Sequence, residues 1–416
     1  MNIFKLWFGL KLWQKVLIGM VLGILAGHYL EDDAQMLKPF GTVFVNMIKM
    51  VVVPLVFFSI LNGISSIGDA NTFGRIGGKA ALMYLCTTMI AITIGLSFAT
   101  YFEPGVGLNI VLTDTQNSNE AQPLSKILME LIPPNPFDAM AKGNTVQVVV
   151  FAFFTGFALI LIGDRGKEVK DFVVSATHLV FKMIELVIKL TPYGVFAIMT
   201  WVVGHYGLDV VLSLGKFVAV VVGALATQYL IYGILLLFVG RLNPIPFYKN
   251  MIETQAVAFA TISSKATLPT AMKELRMKVG VSKQSSSFIL PLGAAMNMDG
   301  VSIYLGICTV FFAQIIGMEL SWMQYGIIML TATVGSIGAA GFPGGSMVMM
   351  GMVLTSVGLP IEGVSLILGV DRFLEMIRTV INITGDCTVT VLVDSWEKTL
   401  NKKVYYSDEE DEEDND

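Results

Sequence analysis

Residues Asp371–Asp386, DRFLEMIRTVINITGD, decide how this chain is read. They lie inside a long apolar run that begins near Ile361 and ends near Trp396, and they carry five ionisable side chains: Asp371, Arg372, Glu375, Arg378 and Asp386. At the centre of a membrane helix each such side chain costs about 2.5–3.5 kcal/mol on insertion scales. Charges placed there need partners and mark functional positions by default. The spacing sharpens the case. With Asp371 at zero and about 100° per residue, Asn382 falls near 20°, Glu375 near 40°, Asp386 near 60°, Thr379 near 80° and Arg378 near −20°, with Arg372 on the border near 100°. One face therefore gathers acids, an arginine, an amide and a hydroxyl, while Phe373, Leu374, Met376, Ile377, Val380 and Ile381 make the rest apolar.

Composition shows that this is not the wet face of a soluble helix. The 416 residues are 54% hydrophobic and 14% charged, with mean hydropathy +0.71, against roughly 25% charged in soluble domains. The chain reads as a polytopic all-α membrane protein. The formal charge of −5 is misleading, because Ser407–Asp416 holds eight of the 32 acids and leaves the remainder at +3. That segment has the composition of a disordered, water-exposed tail. Cys86, Cys308 and Cys387 sit in apolar segments without metal or disulfide spacing and read as small buried hydrophobes. His28, His178 and His205 lie far from the charged helix in sequence. Met1–His28 has basic residues before an apolar run. The run is long enough to span and lacks a clear small-residue cleavage site, so it reads as an uncleaved first helix.

Further spans are expected at about 43–67, 80–101, 146–162, 172–203 and 210–239. Loops rich in Lys and Arg alternate with loops poor in them, which puts the N-terminus, 68–79, 164–170 and 241–249 in the cytoplasm. After the sixth span the pattern changes. A moderately apolar stretch, Glu253–Glu274, is broken at Ile262–Pro269; Phe288–Ile316 is interrupted at Asn297–Gly300 (NMDG); Gln324–Val357 is broken at Gly335–Gly345. Non-helical backbone at membrane depth is tolerated only around a cavity. Two interrupted segments, one before NMDG and one before the charged helix, suggest a repeated unit of re-entrant hairpin and polar helix, the best sequence pointer to a midplane transport site. Hairpin tips offer N–H groups to an anion, and the NMDG break offers oxygen ligands to a hard cation.

At these residues the chain resembles the dicarboxylate/amino acid:cation symporter family, which includes the glutamate and aspartate transporters. The resemblance runs from about residue 10 to 400. It rests on Met47–Val56 (MIKMVVVPLV), Ser263-Ser264 with Thr267–Pro269, Leu290–Ala294 with Asn297–Gly300, Gly341–Gly344 (GFPG), and Arg378-Thr379 with Asn382 and Gly385-Asp386. It implies eight transmembrane helices, two re-entrant hairpins (about 245–277 and 322–358), inverted repeats, a homotrimer and an elevator mechanism. The scaffold would comprise about 12–67 and 146–203. The transport domain would comprise about 80–101 and 210–400, with 401–416 an acidic cytoplasmic tail and the second hairpin an outer gate.

Residue by residue, the resemblance implies that Arg378 pairs with a substrate side-chain carboxylate, a task that suits its planar fork. Thr379 and Asn382 would bind the other end of the substrate, and the tips at Ser264 and Phe342 would line its carboxylates. One sodium site would use Gly293, Asn297, Asn382 and Asp386. A deeper one would use Tyr84, Thr87, Thr88, Asn297 and Asp299, and a third the backbone near Ala295, Ser336, Ile337 and Ala339. The chain also departs from the pattern. Glu375 stands where amino-acid transporters carry an aspartate that receives the amino group. Lys265 replaces a serine or small residue, Val301 a frequent threonine, and Phe342 is bulky for its position. The Asp371-Arg372-Phe373 run is similar to the C4-dicarboxylate branch. For Lys265 two readings stay open: it faces Glu375 across the closed site, or it points to the cytoplasmic vestibule and is solvated there.

The leading function is sodium-driven uptake of aspartate or glutamate through the bacterial inner membrane, with both termini cytoplasmic. The alternative is sodium- or proton-coupled C4-dicarboxylate transport, since a carboxylate in a dry site can hold a proton. An intramembrane enzyme is disfavoured because HExxH, GxSxG and paired Cys/His spacings are all missing. A channel is disfavoured because hairpin gates and compensated charges favour occlusion. Lipid and a small anionic substrate are the expected partners, and nucleic acid is not.

Overall fold

The computed structural model describes residues 10, 12–65, 75–107, 132–142, 145–338, 345–360 and 364–407, and they are helical throughout, without strands. The first half comprises α1 (Leu12–Leu30), α2 (Lys38–Ser65), α3 (Arg75–Phe102), α4 (Pro136–Ala141), α5 (Thr145–Ile162), α6 (Lys167–Lys189), α7 (Thr191–Tyr206) and α8 (Asp209–Phe238). The second half comprises α9 (Pro244–Asn250), α10 (Ile252–Thr261), α11 (Ser264–Met277), α12 (Lys283–Met296), α13 (Asp299–Ile315), α14 (Trp322–Gly338), α15 (Gly345–Ser356), α16 (Val364–Trp396) and α17 (Lys402–Tyr406). Local chemistry sets many of the ends. Asn135 and Asn243 cap α4 and α9, each followed by proline in the first turn. Ser263, Ser282 and Asn401 accept backbone N–H bonds at the starts of α11, α12 and α17.

Several breaks differ from the sequence-based expectation. The run 172–203 is two helices, α6 and α7, rather than one, and the longer stretch Val150–Val187 meets Thr191–His205 at 49°. The cause is Pro192, which lacks an N–H and suits the first turn of a new helix. The first interrupted segment breaks only at Ile262-Ser263, where Ile262 takes a left-handed conformation (φ 55°), and Pro269 lies inside α11. The NMDG break is confined to Asn297 and Met298, since α13 already begins at Asp299.

Packing is inside-out relative to a water-soluble protein. Phe154, Leu161, Leu212 and Phe238 are each more than 70% exposed, while Asn297, Asp299 and Asp386 are fully buried. In water such apolar surfaces mark interaction or aggregation sites; against lipid they are solvated, and the polar groups belong inside. Four described stretches are long and apolar enough to cross a membrane: Ile76–Phe102, Val211–Phe238, Lys283–Ile315 and Leu366–Trp396; the bent pair at Pro192 would add a fifth. The chain is thus a polytopic membrane protein.

Two close helix approaches rest on glycine. A Cβ at Gly23 would lie 2.7 Å from the Phe196 carbonyl oxygen, and one at Gly27 would lie 2.5 Å from that of Thr200. Gly19, Gly23 and Gly27 therefore let α1 lie directly on the α7 backbone, the small-xxx-small mode of membrane packing. Likewise a Cβ at Gly95 of α3 would sit 2.5 Å from the Ile303 carbonyl oxygen of α13. Helix α2 packs on α5, α6 and α7, while α10 packs on α11 and α14 on α15 as helix pairs. The charged helix α16 is the hub, touching α3, α8, α10, α11, α12 and α13 as well as α1 and α7.

Candidate functional site

The polar face of α16 is buried as its periodicity requires, and it divides into two clusters. In the first, Arg378 Nη2 lies 2.8 Å from Asp371 Oδ1, two turns earlier on the same helix, with both side chains 1% exposed. The guanidinium rests on the Tyr304 ring of α13, 3.8 Å from its centroid, a placement that favours a desolvated cation. Arg372 Nη1 lies 2.8 Å from Glu375 Oε2. Two acids and two arginines on this stretch of α16 therefore compensate one another. The Lys265–Glu375 pairing left open by the sequence does not form, because the Glu375 carboxylate is held by Arg372 one turn away on its own helix. Lys265 is instead exposed in the first turn of α11.

The second cluster surrounds the NMDG break. Ending α12 at Met296 and restarting at Asp299 frees the N–H groups of a helix start, and the Gly300 N–H donates to Asn382 Oδ1 at 2.8 Å. Asn297 joins two parts of the cluster. Its Nδ2 donates to Asp386 Oδ1 at 3.0 Å, and its Oδ1 accepts from Thr87 at 3.3 Å and Thr88 at 3.5 Å. Thr88 also donates to Asp299 Oδ1 at 3.0 Å. The other oxygen of Asp299 accepts from Tyr232 Oη at 2.7 Å and Gln228 Nε2 at 3.2 Å. The Tyr84 hydroxyl donates to the Ile289 carbonyl at 3.0 Å. A Cβ at Gly293 would lie 2.5 Å from that hydroxyl and 2.6 Å from Asp386 Oδ1, so glycine is required for this crossing.

Gly293, Asn297, Asn382 and Asp386 thus meet at one place, with Tyr84, Thr87, Thr88 and Asp299 beside it. Ala295 is half-buried in the last turn of α12, and Ser336 and Ile337 lie in the last turn of α14. Phe342 and Ala339 lie outside the described residues. Thr379 donates its hydroxyl to the Glu375 carbonyl at 2.8 Å, so towards a ligand it offers lone pairs. Sequence reasoning missed three residues. Gln228 and Tyr232 of α8 gave only a faint signal, a polar i,i+4 pair in an apolar helix; Tyr304 gave none, since a buried tyrosine is ordinary helix packing.

Chemically, the two clusters differ in kind. Buried polar atoms normally find partners, yet Arg378 Nε and Nη1, Asp371 Oδ2, Ser264 Oγ and Asp386 Oδ2 have no hydrogen-bond partner among the described residues. Arg378 therefore keeps donors for an acceptor such as a carboxylate. Asp386, Asp299, Asn297 and the threonines form an all-oxygen set, which fits a hard cation rather than a soft metal.

Comparison with known proteins gives the same direction. The chain is 34% identical to a C4-dicarboxylate transport protein of Rhodospirillum rubrum, over 94% of this chain and 89% of that protein. It is 33% identical to a proton/sodium-glutamate symport protein of Bacillus subtilis, over 95% and 94% of the respective lengths. A C4-dicarboxylate transport protein of the same Bacillus is 32% identical, over 94% of each. The model of the sodium:dicarboxylate symporter family matches residues 12–396, nearly the whole helical chain and both clusters, and the chain belongs to that family.

Proposed function

We propose that this protein is a secondary active symporter that brings an acidic amino acid, aspartate or glutamate, into the cell together with sodium. Arg378 carries the reading: it is fully buried, fixed at one end by Asp371 and Tyr304, and keeps two donor groups that have no hydrogen-bond partner among the described residues. Such an arginine is built to take a carboxylate. The oxygen set around Asp299 and Asp386 lies four to eight residues along α16 and across the NMDG break, close enough for a cation there to organise the substrate end. Sodium at Asp299 and Asp386 neutralises buried acids; substrate then closes the second hairpin, so that only empty or fully loaded protein crosses.

The architecture follows from the family resemblance. Eight transmembrane helices and two re-entrant hairpins form inverted repeats. A scaffold (about 12–67 and 146–203) holds a transport domain (about 80–101 and 210–400) that moves as an elevator, and three copies assemble in the inner membrane with both termini cytoplasmic. The helix pairs α10–α11 and α14–α15 are consistent with the hairpins.

The test is uptake by the purified protein in liposomes. Radiolabelled aspartate or glutamate should accumulate saturably under an inward sodium gradient and stop when the gradient is dissipated. Flux that stays linear with concentration, or that ignores both cation gradients, would sink the reading. R378M should lower kcat/KM for uptake at least ~30-fold, because truncating one partner of a desolvated charge pair costs about 2 kcal/mol or more. A second reading, symport of an amino-free C4-dicarboxylate with sodium or protons, is favoured by one observation: Glu375, the expected acceptor of an amino group, is paired with Arg372.

A further inference from the structure

Beyond α16 the chain does more than leave the membrane. Lys398 turns the backbone with a left-handed conformation (φ 61°), and the residues that follow bond to both ends of the first helix pair, α9–α11. On the exit side, after α11, the Asn401 N–H donates to the Gly280 carbonyl at 2.8 Å. The Thr399 hydroxyl donates to Asp394 Oδ1, the same buried oxygen that accepts from Ser282, the cap of α12, at 2.6 Å. On the entry side, before α9, the Tyr405 hydroxyl donates to the Asn243 carbonyl at 2.9 Å, and the Asn243 N–H donates to the Tyr406 hydroxyl at 3.3 Å. Tyr405 and Leu400 are buried in one apolar cluster with Leu242, Phe247, Leu275 and Val281. Gly280 has φ 77°, and a Cβ there would collide with the Asn401 carbonyl oxygen, so the close approach of the two strands of backbone needs glycine.

We infer that residues 398–407 are a clasp that locks the base of the first hairpin and so closes a route by which substrate would escape without the coupling ion. The role in retention rests on the transport reading above; the clasp itself does not. A helix pair swings at a few residues at the ends of its elements. Here those ends carry the left-handed turns Arg241 (φ 53°) and Gly280 (φ 77°), and the clasp bonds beside both at once. Opening the pair therefore breaks the Asn401 and Tyr405 bonds together and brings Tyr405 and Leu400 out of their cluster. The 14 residues of α11 span roughly 20 Å at 1.5 Å per residue, so a small rotation at the base becomes a large displacement at the tip, where Ser264 is buried. Between base and tip the arms are also tied by Glu274, whose Oε2 accepts from the Thr254 N–H at 2.9 Å and from its hydroxyl, and by Asn250, which donates to the Lys278 carbonyl at 2.9 Å. The described arms of the second pair, α14–α15, are joined by longer bonds, Gln324 to the Val357 carbonyl and Thr331 to Ser356, both 3.4 Å.

The experiment uses the purified full chain in lipid nanodiscs, read by hydrogen–deuterium exchange, and the same protein in liposomes loaded with radiolabelled aspartate. Local opening sets the exchange rate of the amides it exposes. G280A, which drives a methyl group into the Asn401 backbone, should speed exchange across 244–281 at least ~10-fold, while α14–α15 and α1–α7 stay within about twofold of wild type. Y405F removes only the bond to Asn243 and should speed the same segment about threefold, the order expected for one neutral hydrogen bond. Release of preloaded aspartate without sodium on either side should rise in step, because leak through an opened hairpin is proportional to the opened population. Removal of 408–416 lies beyond the clasp and should change neither readout by more than about twofold. If G280A does not fold, as its exchange at α1 and α7 reports, Y405F decides. Exchange over 244–281 that stays at the wild-type rate in the folded variants overturns the clasp, as does a rise that is equal in all helices, which marks general stability. Local loosening without leak overturns its role in retention, and an effect of removing 408–416 as large as that of G280A places the function outside the clasp. Wild-type protein that takes up no aspartate removes the transport reading, and the exchange measurement still decides whether the clasp exists.

Discussion

Asp299 shows how one carboxylate can be held and still be available. Tyr232 and Gln228 fix Oδ2, while Oδ1 faces Thr88 and the Asn297 amide region, where other oxygens converge. Removing a hydrogen bond to a charged group costs about 1.5–3 kcal/mol. Y232F should therefore lower the thermal unfolding temperature of the purified protein by several degrees, measured without sodium; an unchanged transition would mean that the Tyr232 hydroxyl does not support Asp299. D299N keeps the size and removes the charge that a cation would neutralise. The sodium concentration for half-maximal uptake should rise at least ~10-fold, a loss of about 1.4 kcal/mol or more. Sodium dependence that does not move would place the coupling ion elsewhere. At this scale the sequence named most of the cluster, because Asn297, Asp299 and Asp386 stand out in apolar surroundings. It left the partner of Glu375 open. Lys265 is far away in the chain and its position depends on tertiary packing, whereas Arg372 is three residues off on the same helix, at the border of the polar face, and pairs with Glu375.

Helix packing depends on a few small residues whose absence of side chain is the contact. Along α1, Gly19, Gly23 and Gly27 face the α7 backbone. Gly326 of α14, by contrast, has nothing within 4 Å of where its Cβ would be. G23L should abolish folded protein or lower its unfolding temperature sharply, since it drives a branched side chain into backbone, where overpacking costs about 1–3 kcal/mol or more. G326A should be tolerated. Equal effects of the two would show that the α1–α7 approach is not limiting. A similar local rule acts at the start of α12. Ser282 caps it, and its N–H and hydroxyl both donate to Asp394 of α16, at 3.0 and 2.6 Å. S282A should cost about 1 kcal/mol, the usual value of an N-cap, read as a small shift in the same unfolding measurement. Element ends are legible where an apolar run gives way to charge, as at Leu30, which Glu31, Asp32 and Asp33 follow. The bend at Thr191-Pro192 is hidden in the sequence because the flanking residues are apolar enough to read as one span.

At the scale of the whole molecule the polarity gradient runs inward: exposed phenylalanine and leucine outside, ionisable and amide groups within. Lipid makes this arrangement stable, since apolar side chains need no burial there and unpaired charges cannot be left facing it. Helix α16 touches both the α1–α7 pair and the helices that carry the clusters, so any movement of the clusters past α1 and α7 must slide at α16. The proposed trimer predicts a mass near three times 45.3 kDa by native mass spectrometry of detergent-solubilised protein. A monomer at every concentration would remove the trimer from the account and leave the site intact.

What the sequence determined by itself was the membrane class, the helical register of Asp371–Asp386 and the identity of the polar residues that must be buried. Each follows from local quantities, namely hydropathy, the 3.6-residue period and the cost of isolated charge. What only the tertiary structure decided was who compensates whom. Arg378 rests on Tyr304, Asp299 is held from α8, and Glu375 belongs to Arg372 rather than to Lys265. Composition requires that buried charges be paired; which groups meet depends on how the helices cross.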